Sequence, residues 1–275
     1  VRLLLVQVST ALDPRENRSL VGAAVSAGLD ASGPVDVVVL PEAAQADFGG
    51  PQRPPAQVAE PLDGPFATFL AEVAARAGAT VVAGMFEAAG DGLPYNTLLA
   101  VRPDGSLAAA YRKAHLYDAF GYSESHWLRA GDASAVTVDV VGRDGSSGTL
   151  GLLTCYDLRF PEQARALVDA GADVLLVPAA WLRGPAKEHH WATLLAARAI
   201  ENTVFVAGVA KAGSLYCGLT RLVDPMGQVV AGLGEQDGSV VATVSAERVR
   251  QVRAVNPSLA NRRWRVVPGR PEDAG

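Results

Sequence analysis

A chain of 275 residues, 49% hydrophobic and 19% charged, can bury a full core, and its net charge of −5 lacks the basic field that a nucleic-acid phosphate backbone recruits. No apolar run approaches the about 18 residues that a membrane-spanning helix needs, and "LLLV" at 3–6 is too short for a signal-peptide core. Only two cysteines, Cys155 and Cys217, are present, too few for a disulfide framework, so the expectation is a cytoplasmic protein with neither nucleic acid nor membrane as partner.

Strand-like runs alternate with helix-like segments. "RLLLVQV" (2–8), a helix near 14–28 and "VDVVVL" (35–40) come first, then a helix at about 63–77 with Phe66, Phe69, Leu70 and Val73 at helical spacing, and the strand "ATVVAGMF" (79–86). "NTLLAVRPDGSLAAAYRK" (96–113) reads as two strands joined by a Pro-Asp-Gly turn. A polar, aromatic-rich loop (117–134) leads to "AVTVDV" (135–140) and "GTLGLLTC" (148–155). A helix from about 161, "DVLLVPAAW" (173–181), a helix near 187–200 and "NTVFVAGVA" (202–210) follow. A second hairpin around Asp-Pro-Met-Gly, "GSVVATV" (238–244) and a short helix at 245–253 complete the pattern. This is an α/β rhythm with strands in pairs, which fits mixed sheets, each covered by helices on one face and stacked back to back. No internal repeat is present, and 1–275 reads as a single domain with an arginine-rich C-terminal arm from about 255 that frays at its end.

Three strand ends carry chemistry-bearing residues. Cys155 ends one apolar run and precedes "YDLRFPE", whose Pro161 suits a first helical turn, so its thiol sits on a strand-to-helix turn of the kind that exposes a nucleophile. Glu42 follows "VDVVVLP", and Lys113, one of three lysines with Lys187 and Lys211, ends another strand. In open α/β sheets functional groups gather at the carboxyl ends of strands. Together the three are coherent: a carboxylate takes the thiol proton, the thiolate attacks, and an ammonium stabilises the oxyanion. Each also has a plain structural reading, as a buried cysteine, a capping glutamate and an exposed lysine. A cysteine–histidine hydrolase using His115, His126, His189 or His190 stays open on the residues alone.

"LPE" (40–42) within "VVVLPEAA", "YRKAHLYD" (111–118) and "LLTCYDLRFPE" (152–162) resemble, in that order, the three catalytic motifs of the nitrilase superfamily of carbon–nitrogen hydrolases. "GADVLLVPAAW", "HHWATLLAARAIENTVFVAGV" and "VDPMGQVV" are similar to the family's downstream blocks, so the resemblance runs almost the length of the chain. It implies a four-layer α-β-β-α sandwich and a Glu-Lys-Cys triad that hydrolyses non-peptide C–N bonds. On that basis Glu42 is the general base, Lys113 the oxyanion stabiliser, Cys155 the nucleophile and the Tyr156 N–H a second oxyanion donor. Glu124, in "GYSESHWLRAGD", matches a further family glutamate that would hold Lys113 and orient water, with Asp118 its rival. Lys113 between two carboxylates stays protonated, which leaves the basic role to Glu42.

No metal or organic cofactor is needed for this scheme. Tyr117 and Trp181 are expected to line the pocket, His189 and His190 either to contact substrate or to stand as solvated or packed helix-start residues, and Phe120, Tyr122 and Trp127 to shape the acyl end. Asp157, Arg159 and Glu162 read as structural ion pairs or helix-start contacts; Cys217, Lys187 and Lys211 have no assigned part. "CYDLRFPE" resembles the amidase and ω-amidase-like branches, with a small aliphatic or carboxylated amide as substrate, whereas the nitrile branch usually has tryptophan after the cysteine. "CGLTRLVDP" (217–225) departs from a Gly-His-Ser-like run common in amidases, which leaves the acyl group open. N-carbamoyl hydrolysis, nitrile hydrolysis and a catalytically silent binding or scaffold role are the alternatives. The resemblance also implies a homodimer or a higher symmetric oligomer.

Overall fold

The computed structural model describes residues 1–267. The first half of the chain supplies β1 (Arg2–Gln7), α1 (Pro14–Ser32), β2 (Val37–Val39), α2 (Pro65–Ala77), β3 (Thr80–Glu87), β4 (Tyr95–Val101) and β5 (Leu107–Arg112). A two-strand ribbon, β6 (Asp118–Ala119) and β7 (Tyr122–Ser123), interrupts the long aromatic loop. The second half supplies β8 (Thr137–Val141), β9 (Ser147–Leu152), α3 (Pro161–Asp169), β10 (Val174–Ala179), α4 (Lys187–Asn202) and β11 (Phe205–Ala210). The hairpin β12 (Arg221–Val223) and β13 (Val229–Gly232), the strand β14 (Gly238–Thr243) and α5 (Ala246–Val255) follow.

Two six-stranded mixed sheets result, ordered β14-β1-β2-β3-β4-β5 and β13-β12-β11-β10-β9-β8. In each, three parallel strands are flanked by one antiparallel strand on one side and two on the other. The halves therefore share a strand pattern without a sequence repeat. Period-two alternation assigns the faces. Leu3, Leu5, Val37, Val39 and Val82 point inward and meet Leu150, Leu152, Val174, Leu176 and Ala207 of the opposite sheet. Leu4, Val6, Val38 and Val81 point outward under α1 and α2, while Leu175, Val177 and Val206 pack under α3 and α4. Burying each such Leu or Val side chain contributes about 1.5–3 kcal/mol. Four layers, helix on sheet on sheet on helix, follow from these apolar faces, and the architecture is the expected one.

The helices start where their punctuation places them. Asp13 caps α1 by accepting from the Arg15 N–H at 2.7 Å, and Pro14, Pro65 and Pro161 each open a helix at a position that needs no N–H. Among the described residues no helix is long and apolar enough to cross a membrane. After α5 the arm turns at Pro257–Asn261 and Arg262 grips Asp169 of α3 through two bonds of 3.0 and 2.6 Å. The far end of the arm, 268–275, where fraying was expected, lies outside the described residues.

Candidate active site

The parallel strands of both sheets deliver their carboxyl ends to one region. Glu42 stands three residues beyond β2, on a turn whose backbone passes so close to β3 that only glycine fits opposite. A Cβ at Gly84 would meet Ala43 N at 2.4 Å and Glu42 Cα at 2.8 Å. The carboxylate is fully enclosed, 1% exposed, and takes three donors. Its Oε1 accepts from Lys113 Nζ at 2.9 Å and Asn96 Nδ2 at 2.7 Å, and its Oε2 accepts from the Ala180 N–H at 2.6 Å, just past β10.

Lys113 extends from the end of β5 and is equally enclosed. Besides Glu42 it donates to Glu124 Oε2 at 2.8 Å and Oε1 at 3.1 Å. Glu124 sits in a 3-10 turn right after the β6–β7 ribbon and also accepts from the Tyr117 N–H at 2.6 Å. Asp118, the rival for this place, is exposed and accepts from the Ser125 N–H instead, because it lies on the ribbon's outer edge.

Cys155 opens a 3-10 turn three residues beyond Leu152, at φ +47°, a region that non-glycine residues seldom occupy. The strained turn lifts Sγ toward the same space as Glu42 and Lys113. All of them, with Glu124, line one cavity of about 280 Å³. Tyr117, Tyr156 and Trp181 line it as well, as does Tyr122.

The charges in this cluster are interdependent. Burial alone would strip the proton from Lys113, but the charges of Glu124 and Glu42 outweigh it and hold the ammonium well above the usual lysine range. Burial works against ionised Glu42 too, yet the Lys113 charge, the Ala180 N–H and the Asn96 amide hold its carboxyl below the usual range. The Cys155 thiol is pushed well up by burial and then by the Glu42 charge, against the pull of Lys113. The resting site thus combines an ionised acid, a protonated lysine and a protonated thiol.

Several readings change. His189 and His190 do not line the cavity. On α4 the inward phase is taken by Lys187 and Trp191, four residues apart, which turns His189 out to solvent and leaves His190 on a flank. His115 and His126 are absent from the lining too, so no histidine stands by the thiol there. Trp127 packs beside Phe86 and Leu128 rather than at the acyl end, and Phe120 stands 66% exposed at the rim. Cys217 is buried in the link between β11 and β12.

Arg159 and Lys187, read as structural or idle, both line the cavity. Asp157 is consumed elsewhere, so the Arg159 guanidinium has no carboxylate among the described residues; it lies 4.9 Å from the Trp181 ring centre, and its buried Nε lacks a hydrogen-bond partner. The Lys187 ammonium bonds the Tyr117 hydroxyl and sits 3.7 Å from the Phe120 ring centre. Burial and then the Arg159 charge draw it below the usual lysine range. Lys187 is held there by the Trp181 indole N–H, which donates to the Lys187 carbonyl at 2.8 Å. Among the described residues neither cation has an acidic partner, and both lie over aromatic rings.

The carbon-nitrogen hydrolase family model matches residues 2–254. The chain belongs to the carbon-nitrogen hydrolase family. It is 41% identical over 230 residues to the deaminated glutathione amidase of Escherichia coli O157:H7, covering 84% of this chain and 86% of that protein. It is 32% identical over 239 residues to the ω-amidase NIT2 of Pongo abelii, 82% of each. XC1258 of Xanthomonas campestris, a CN-hydrolase superfamily protein solved with an arsenic adduct in its active site, superposes with a TM-score of 0.85 at 33% identity, covering 97% of this chain and 98% of that one. A Nesterenkonia sp. AN1 amidase, solved with acrylamide added to its active-site cysteine, superposes with a TM-score of 0.77 at 27% identity, over 94% and 99%.

Proposed function

We propose that this carbon-nitrogen hydrolase is a cysteine amidase acting on a small linear amide whose acyl portion carries a carboxylate. The observation that carries the reading is the meeting of Glu42, Lys113 and Cys155 in one cavity whose remaining cations, Arg159 and Lys187, have no acidic partner among the described residues. Relatives named as amidases support the reaction class.

The substrate carbonyl oxygen lies between Lys113 Nζ and the Tyr156 N–H, and Sγ of Cys155 attacks the carbonyl carbon while Glu42 takes the thiol proton. A raised thiol pKa and a lowered carboxyl pKa make this transfer uphill by itself. It proceeds because charge moves from sulfur to an oxygen that the Lys113 ammonium already faces. The tetrahedral intermediate collapses, the C–N bond breaks, and the departing ammonia or amine takes the proton from Glu42. Water, deprotonated by Glu42 and oriented with Glu124, attacks the thioester; the acid leaves and Cys155 recovers its proton.

The test is release of ammonia or amine from a panel of amides, carbamoyl amino acids and nitriles. Carboxylated amides are expected to turn over and Cys155→Ala to be inactive; a panel with no turnover, or turnover untouched by that substitution, contradicts the reading. Arg159→Leu is expected to raise KM for a carboxylated amide by about 10- to 100-fold, the worth of one charged hydrogen bond of about 1.5–3 kcal/mol, and to leave a neutral amide of equal size unaffected. Steady-state kinetics on the pair decides it.

The proposal extends to cytoplasmic residence, in keeping with two unpaired cysteines, and to a homodimer or higher symmetric oligomer. Exposed Ile200 and Met226, with Ile200 packed close over Gly227, and the exposed Val229 and Val230 of β13 supply apolar surface for pairing. Equilibrium sedimentation is expected to show at least a dimer; a monomer at working concentration contradicts that part.

A further inference from the structure

We propose that Asp157 is a positioning residue that sets the nucleophile turn against the lysine segment, so that Cys155 and Lys113 address the same carbonyl. The proposal rests on the amidase reading for what the two side chains do, and on the following geometry for what Asp157 does. Asp157 is fully buried and spends its whole carboxylate on two stretches of chain. Its Oδ2 accepts from the Thr154 N–H at 2.9 Å, which closes from inside the turn that carries Cys155 at its strained φ of +47°. The same oxygen accepts from the Tyr111 hydroxyl at 2.7 Å. Its Oδ1 accepts from the His115 N–H at 3.0 Å and from His115 Nδ1 at 2.8 Å.

Tyr111 and His115 stand two residues to either side of Lys113. Tyr111 is tied in further, since its oxygen accepts from the Ala114 N–H at 3.1 Å, and the His115 ring stacks on Phe160 at 3.7 Å, where the nucleophile turn ends. One carboxylate therefore takes one donor from the residue before Cys155 and three from the residues bracketing Lys113. A buried carboxylate with this many donors has a geometry fixed by its partners, and losing one donor frees both segments to shift. Proximity is steep in distance: a misplacement of about 1 Å costs about 100-fold in rate.

The experiment uses Asp157→Asn, Tyr111→Phe, His115→Ala and His115→Asn, the last restoring a side-chain N–H near the place of Nδ1. Two readouts are taken on folded protein, with folding checked by circular dichroism: kcat and KM on a hydrolysed amide, and the rate of Cys155 alkylation by iodoacetamide, which needs no substrate. Asp157→Asn is expected to lower kcat by about 100-fold with KM within about twofold, and to slow alkylation in parallel. His115→Ala and Tyr111→Phe are expected to lose about tenfold in kcat, and His115→Asn to recover most of the His115→Ala loss.

A merely structural Asp157 would lower the melting temperature and leave kcat and alkylation of the folded protein unchanged, and that result overturns the proposal. So does an equal loss in His115→Asn and His115→Ala. Should Asp157→Asn fail to fold, the Tyr111 and His115 variants decide by the same criteria. If the wild type hydrolyses nothing while alkylation still falls in the variants, the amidase reading fails and the positioning role stands. If the wild type is active and neither readout moves, the positioning role fails alone.

Discussion

Lys113→Met is expected to lower kcat by about 100- to 1,000-fold, the range for removing one oxyanion donor, and to destabilise the fold by about 3–5 kcal/mol. The two losses share a cause. Lys113 is the ammonium between Glu42 and Glu124 at 2.9 and 2.8 Å, and all three side chains are sealed from solvent. Methionine keeps the length of the side chain and removes the charge, so two carboxylates face each other without a counter-ion. Chemical denaturation and steady-state kinetics measure the two effects. Adding Glu42→Gln to Lys113→Met should recover part of the lost stability, since residues in one network do not add. Full additivity would mean that the two side chains are not coupled.

Glu42→Gln alone is expected to lower kcat by about 100- to 10,000-fold, the contribution of a positioned general base. Glu42 now accepts from Lys113, Asn96 and the Ala180 N–H. Glutamine offers one oxygen and one NH₂ group, so at least one of these buried donors meets another donor, a cost of about 1–3 kcal/mol. Activity and stability should therefore both fall, activity far more. A variant retaining a tenth of wild-type kcat would show that another group takes the thiol proton.

The fold was legible because the strands alternate cleanly: "RLLLVQ" and "VVV" place every second residue on the inner face, and the prolines at 14, 65 and 161 mark helix starts. The positions of Glu42, Lys113 and Cys155 were legible for a related reason, each being a polar group at the end of an apolar run. Their neighbours were not. Asn96 and the Ala180 N–H bond Glu42 from 54 and 138 residues away, a proximity that only strand order creates. Arg159 stands between two acids in sequence, so an ion pair was the natural reading. In the folded chain Asp157 turns inward to Tyr111 and His115, and the guanidinium is left facing the cavity. The histidine pair misled through helix phase: one residue of the first turn of α4 can face the cavity, and it is Lys187.

The most direct test is whether the acyl group of an amide passes through sulfur. The protein is mixed with a hydrolysed amide, quenched in acid within a few turnovers, and its intact mass and cysteine-containing peptides are read by mass spectrometry. A mass increase equal to the acyl group, mapped to Cys155, labile to hydroxylamine and absent from Cys155→Ala, is the predicted result. Steady amide hydrolysis with an unmodified Cys155, continuing in Cys155→Ala, would contradict the account.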